Sequence, residues 1–135
     1  MGLTRLEVRE TGQPAEWPKG YVDWHYYSWN ANEDRLKELL ESNKTVFIAG
    51  IMGNQEKLYH YFDILIALDI SPPEHKRRLQ LRPKRKVGDD ERNIQRRLDR
   101  YSMHMEKFKA DGFIVVDNNG PITVTVNFIE QIIHS

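Results

Sequence analysis

The stretch Ile64 to Glu74, ILIALDISPPE, decides the fold class. Its first seven residues are apolar apart from Asp69, with β-branched Ile64, Ile66 and Ile70 among them, the composition of a strand buried on both faces in a parallel sheet. The last four read as a helix start. Ser71 stands at the cap position, Pro72 and Pro73 fall in the first turn where an N–H is dispensable, and Glu74 follows three residues after the cap. A buried strand feeding directly into a helix predicts a crossover unit.

Toward the carboxyl end the same alternation continues. The basic stretch Arg77 to Lys86, RRLQLRPKRK, is broken at Pro83, and helix resumes at Asp89-Asp90-Glu91, whose acids suit the positive end of a helix. Ile94, Leu98, Tyr101, Met105 and Phe108 then recur at spacings of four and three, which defines one buried face. Gly112 stops that helix, Phe113 to Asp117 (FIVVD) forms another buried strand, and Asn118-Asn119-Gly120 turns the chain into a last helix carrying Val124, Phe128, Ile132 and Ile133.

Toward the amino end, a helix from Asn32 presents Leu36, Leu39 and Leu40 on one face. Thr45 to Ala49 (TVFIA), closed by Gly50, predicts a further strand buried on both faces, and a second helix is expected near Asn54. Residues Met1 to Pro18, with Gly12, Pro14 and Pro18, show no sustained period and are expected to be irregular or partly helical. Gly20 to Asn30 gathers Tyr21, Trp24, Tyr26, Tyr27 and Trp29, either as a cover on the core or as a wall facing a ligand. The expected fold class is α/β, a parallel sheet with flanking helices, in one domain spanning residues 1–135.

Lys plus Arg and Asp plus Glu are both 20, so the formal charge is zero; this weighs against a chain built for bulk attraction to nucleic acid or anionic lipid. There is no cysteine, which removes disulfides and thiolate metal sites and suits a cytoplasmic setting. The longest apolar runs are too short for a membrane span, and the amino terminus lacks a signal-like apolar region. His25, His60, His75, His104 and His134 have no paired metal-ligand spacing, so no resident metal is expected.

Chemistry concentrates between Ile64 and Tyr101. Arg78 and Arg82 lie four residues apart on one helical face, and Arg97 follows from the next helix. Guanidinium groups from two helix ends can grip a polyphosphate through forked, charge-assisted hydrogen bonds. The alternative is a solvated basic helix end, and a basic patch near tyrosines also fits an RNA contact. Arg92, Arg96 and Arg100, spaced by four opposite the apolar stripe, read as a solvent-facing row. Asp23 and Glu33 flank the aromatic stretch and suit either an acceptor hydroxyl or turn and capping roles. Asp69 sits at a strand's carboxyl end, where ligands gather in open α/β sheets.

In order of elements, residues 32 to 133 resemble the second half of the adenylate kinases, a P-loop NTPase fold. There a strand leads to Arg-x-x-x-Arg, a mobile lid, an Asp-Asp helix start and Arg-Leu-x-x-Tyr. The short lid, at about residues 83 to 90, is closer to shikimate kinases and to a group of bacterial ATPases with Gly-x-x-x-Asn after the strand. The resemblance implies ATP, with Mg2+, held by Arg78 at the adenine and by Arg82, Arg97 and Lys86 at the phosphates, Arg82 and Arg97 acting in catalysis. It also implies an acceptor, a small metabolite or nucleotide, met by Asn54 and Gln55, and Asp23 and Trp24 of the aromatic stretch are the further candidates for facing that acceptor. Ala49 replaces the family's magnesium-linked acid, and Gly53 or Asn54 stands near its acceptor-binding arginine, so the acceptor differs from AMP.

Phosphoryl transfer on such a fold requires a strand followed by Gly-x-x-x-x-Gly-Lys-Ser/Thr, and no such sequence occurs. Gly50 to Lys57 (GIMGNQEK) places its lysine four residues beyond the second glycine, with no hydroxyl after it. The expectation is a partial kinase-like domain that lacks the loop-bearing strand and helix and is inactive alone. It would be completed by a segment carrying the loop or stabilised by self-association. The other expectation is a module that binds a nucleotide or RNA without catalysis.

Overall fold

The computed structural model describes residues 2–19, 22–82 and 91–135, with side chains from residue 94 onward in the last of these. Contacts divide the chain into two compact units, residues 1–62 and 63–135, where the sequence was read as a single domain. Lys86 and the expected lid at about 83 to 90 lie outside the described residues.

The first unit begins with a strand that the sequence reading missed. β1 (Thr4–Val8) pairs antiparallel with β2 (Tyr27–Ala31), with Leu6 opposite Trp29 and Glu7 opposite Ser28. The pairing corrects two expectations: the opening is not irregular or helical at these residues, and this sheet is not parallel. A five-residue run gives only a weak period-two signal, and the stabilising pairs are 19 to 27 residues apart in sequence. α1 (Glu33–Ser42) follows, with the Asn32 side chain accepting from the Arg35 N–H as its cap. Leu36 is fully buried and meets Ala31 and Leu58 in the core of the unit, with Leu40, Ile48 and Met52 against it.

The strand expected at Thr45–Ala49 does not form. The segment joins no ladder among the described residues, and Phe47 is 74% exposed. Apolar composition supplies only a propensity; a strand also needs a neighbour to bond its backbone groups. The helix expected near Asn54 is a 3-10 helix, Gln55–Tyr61.

In the second unit, β3 (Ile66–Asp69) leads through α2 (Pro72–Leu81) and α3 (Glu91–Ala110) to β4 (Ile114–Asp117), which pairs parallel to β3; α4 (Ile122–Ile133) packs on β4. Leu79 of α2 packs with Ile94 and Leu98 of α3, as the four-three spacing predicts. The expectation that both strands are buried on both faces is corrected. Ala67 and Val116 are buried, but Ile114 and Val115 are 44% and 41% exposed, because the described sheet has only two strands. Ser71 caps α2 only by position: its side chain makes no cap bond, and the Glu74 carboxylate turns to Arg77 and Arg78 instead. The two prolines explain this, since they leave few N–H groups in the first turn to cap.

A candidate anion site at the carboxyl edge of the parallel strands

The strands β3 and β4 end together, with Asp69 in register with Asp117. Two carboxylates side by side would repel, and each has its own partner. The Asp117 carboxylate accepts from the Asn119 backbone N–H and from its side-chain amide, both at 2.8 Å, which holds it below the usual aspartate range. Asp69 pairs with Lys109 at 3.4 Å. Asn119 also accepts the Ser71 N–H at 2.8 Å, so one side chain joins the start of α2 to the turn after β4.

Two cavities flank these strand ends. The larger, about 640 Å³, is lined by Glu74, Arg77 and Arg78 of α2 and by Asn118 to Ile122. Arg78 is anchored there: its Nε donates to Glu74 at 2.9 Å and its Nη2 to the carbonyls of Asn119 and Gly120, each at 3.1 Å. Hydrogen bonds from Arg77 and Arg78 draw the Glu74 carboxyl down to about 2. Arg78 therefore ties α2 to the loop before α4 and brings its charge to the strand edge in a fixed orientation.

The smaller cavity, about 210 Å³, has a floor of Ile70, Pro72, Leu98 and Met105 and a rim that includes Asp69, His75, Tyr101 and Lys109. The Tyr101 hydroxyl donates to the Leu68 carbonyl, and its ring meets the His75 ring edge-on with centroids 4.7 Å apart. Burial pushes the Tyr101 phenol up, and the charge of Asp69 adds to this. His75 is half-buried, and burial lowers its pKa first; the positive charges of Arg82, Arg78 and Arg97 lower it further. The three arginines singled out in the sequence all contribute to that lowering, although none of them lines this cavity.

Not all the sequence candidates come together. Arg82 and Arg97, both exposed, do not line the larger cavity with Arg78. Asp23, Trp24, Asn54 and Gln55 belong to the first unit, where each has a local task. Asp23 accepts the His25 N–H at 3.0 Å, and Trp24 packs edge-on to Trp17 with centroids 6.5 Å apart. The Asn54 carboxamide bonds both the N–H and the carbonyl of Ala31 at 2.9 Å, continuing β2 as a neighbouring strand would. Gln55 accepts from the Met52 N–H at 3.0 Å and donates to Tyr59. The sequence reading missed His75 and Asn119 as parts of the site. A histidine one residue from Glu74 and three from Arg78 was a usable signal, whereas Asn119 read only as a turn residue.

Among the described residues, no group of three or more His, Asp or Glu could hold a metal ion. No helix of the described residues is long and apolar enough to cross a membrane. Compared with known proteins, the chain matches no family model, no curated protein and no solved structure.

Proposed function

We propose that residues 63–135 bind the phosphate-bearing end of a small molecule, a nucleotide such as ATP in the first instance, at the carboxyl edge of β3 and β4. The observation that carries this reading is the Arg78 guanidinium, held in place on the lining of the larger cavity beside Arg77 and the turn after β4. The charges of Arg82, Arg78 and Arg97 add to burial in lowering the pKa of His75, the direction expected of a positive field that a multiply charged anion would offset. Arg78 is pre-organised by Glu74 and the Asn119 and Gly120 carbonyls, so less freedom is lost when an anion arrives.

The activity that such a site would serve is phosphoryl transfer to a small-metabolite or nucleotide acceptor, with Arg82 and Arg97 stabilising charge on the transferred group. Transfer requires a Gly-rich loop with its lysine, which these 135 residues do not contain, so the loop would come from a partner segment. Without it the reading is binding alone. Zero net charge favours a small anion over RNA.

The test is the titration of His75, followed by NMR with and without ATP. A bound anion offsets the arginine field, so the His75 pKa should rise on saturation, and Arg82→Gln with Arg97→Gln should remove that rise. A His75 titration that is the same with and without ATP would refute the site.

A further inference from the structure

From the smaller cavity we infer that the second unit has a binding site for an uncharged heteroaromatic ring with hydrogen-bonding groups on its edge, the chemistry of a nucleobase. Every residue that lines the cavity lies between 69 and 109, so its walls are built within one unit. Leu98, Tyr101, Ser102, Met105, Glu106 and Lys109 follow one another along α3 at spacings of three and one, which puts them on one face of that helix. α2 supplies Pro72 and His75. Where α2 carries Leu79 it closes on Ile94 and Leu98 of α3; one turn earlier it carries His75, and there the cavity remains.

Polarity is graded across the lining. Leu98 and Met105 are buried, Asp69, His75 and Tyr101 are half-buried, and Ser102, Glu106 and Lys109 are exposed. The Tyr101 ring is held in two ways, by the bond from its hydroxyl to the Leu68 carbonyl and by the edge-on His75 ring at 4.7 Å. Two aromatic side chains and a methionine thioether already in place favour a flat ring, since little freedom is lost when they meet it. Both aromatic groups are uncharged at neutral pH: burial lowers the His75 pKa, with the arginine charges adding, and raises that of Tyr101.

Size and charge choose among ligands. A volume of about 210 Å³ falls below the ~300–1,000 Å³ of sites that enclose a drug-sized molecule, so the cavity takes one ring system and leaves its substituents outside. Lys109 is paired with Asp69 at 3.4 Å, no arginine lines the cavity, and Glu106 adds a second carboxylate, so the lining offers no free cation to a phosphate. A plain hydrocarbon ring would fit against Leu98 and Met105 but would strip water from Asp69, Ser102 and Glu106 without replacing it. A nucleobase, which donates and accepts along its edge, satisfies both parts of the lining. The inference stands apart from the anion site, with which this cavity shares no lining residue.

Adenosine, which carries a base and no phosphate, is the probe, and methionine methyl NMR of the full chain is the readout. Met105 lines the cavity, and Met103, two residues away on the same helix, is 69% exposed and does not. Adenosine should shift the Met105 methyl resonance in a saturable titration and leave that of Met103 in place. Glu106→Ala, a truncation of an exposed side chain, should weaken the binding about tenfold through the lost charged acceptor, with the Met103 and Met52 resonances unchanged. Toluene, a ring without polar edge groups, should shift Met105 less than adenosine at equal concentration. A Met105 resonance that stays in place up to the solubility limit of adenosine, or that responds equally to toluene, would overturn the nucleobase site. Inorganic triphosphate separates the two sites: it should perturb the Arg78 guanidinium resonances and leave Met105 unmoved, so silence at Arg78 strikes the anion site alone, and a Met105 shift matching that of adenosine strikes the nucleobase site.

Discussion

Replacing Asn54 with Ala should destabilise the first unit markedly. The Asn54 carboxamide donates to the Ala31 carbonyl and accepts the Ala31 N–H, both at 2.9 Å, and Ala31 is 4% exposed. Truncation leaves one donor and one acceptor at the edge of β2 without a partner. Each such buried group costs about 1–3 kcal/mol, so the expected loss for the two is about 2–6 kcal/mol, a large part of the ~5–15 kcal/mol that holds a typical domain. Asn54→Asp distinguishes this account from lost packing. The carboxylate still accepts the Ala31 N–H but meets the Ala31 carbonyl with a second acceptor, so at neutral pH it should be at least as damaging as Ala. Below about pH 4 a protonated Asp can donate again, and the deficit should narrow relative to Asn54→Ala. The assay is urea unfolding followed by tryptophan fluorescence. All three tryptophans, Trp17, Trp24 and Trp29, lie in the first unit, so the signal reports that unit alone. A change in midpoint at constant slope would measure the loss. If Asn54→Ala stays within about 0.5 kcal/mol of wild type, the edge-pairing role is wrong, and the residue is available for a ligand.

Gly53→Ala should destabilise the same unit by about 1–3 kcal/mol, because a Cβ there would stand 2.3 Å from Ser28 Oγ and 2.7 Å from Asn30 Oδ1. Those two groups belong to a network in which Asn30 donates to Glu7 at 2.8 Å, so a concurrent Ser28→Ala should recover part of the loss; the fluorescence assay reads both. Glu74 carries the clearest pH dependence. Its folded pKa lies near 2, below its ordinary value of 4.5, so its contribution is complete above 4.5 and disappears as pH falls toward 2. Carbon-detected NMR of the Glu74 carboxyl should show that low midpoint, and Glu74→Gln should flatten the acid limb of the second unit's stability; an unshifted Glu74 midpoint would contradict the Arg77 and Arg78 pairing.

The helices were legible because their signals are local. The four-three recurrence from Ile94 to Phe108 and the Ser71-Pro72-Pro73-Glu74 start both place helices that the structure contains, α3 and α2. Runs at Ile64 to Ile70 and Phe113 to Asp117 contain β3 and β4, and their parallel pairing followed from the helices between them. The same reasoning failed at Thr45 to Ala49, where an equally apolar run finds no partner among the described residues. It also failed at Thr4 to Val8, where a less apolar run finds one in β2. At the site, the arginines were visible as residue types. The role of Arg78 as a tie between α2 and the loop before α4 was not, because its acceptors are carbonyls some forty residues away.

Periodicity, capping residues and turn residues act over a few positions, so order along the chain was enough to set which segments become helices and that an α/β unit closes the chain. Pairing of β1 with β2, the division into two units and the tie from Arg78 to the carbonyls of Asn119 and Gly120 depend on contacts between distant segments. Their energies come from burial and from backbone hydrogen bonds whose partners no local pattern names, and only the folded chain supplies them.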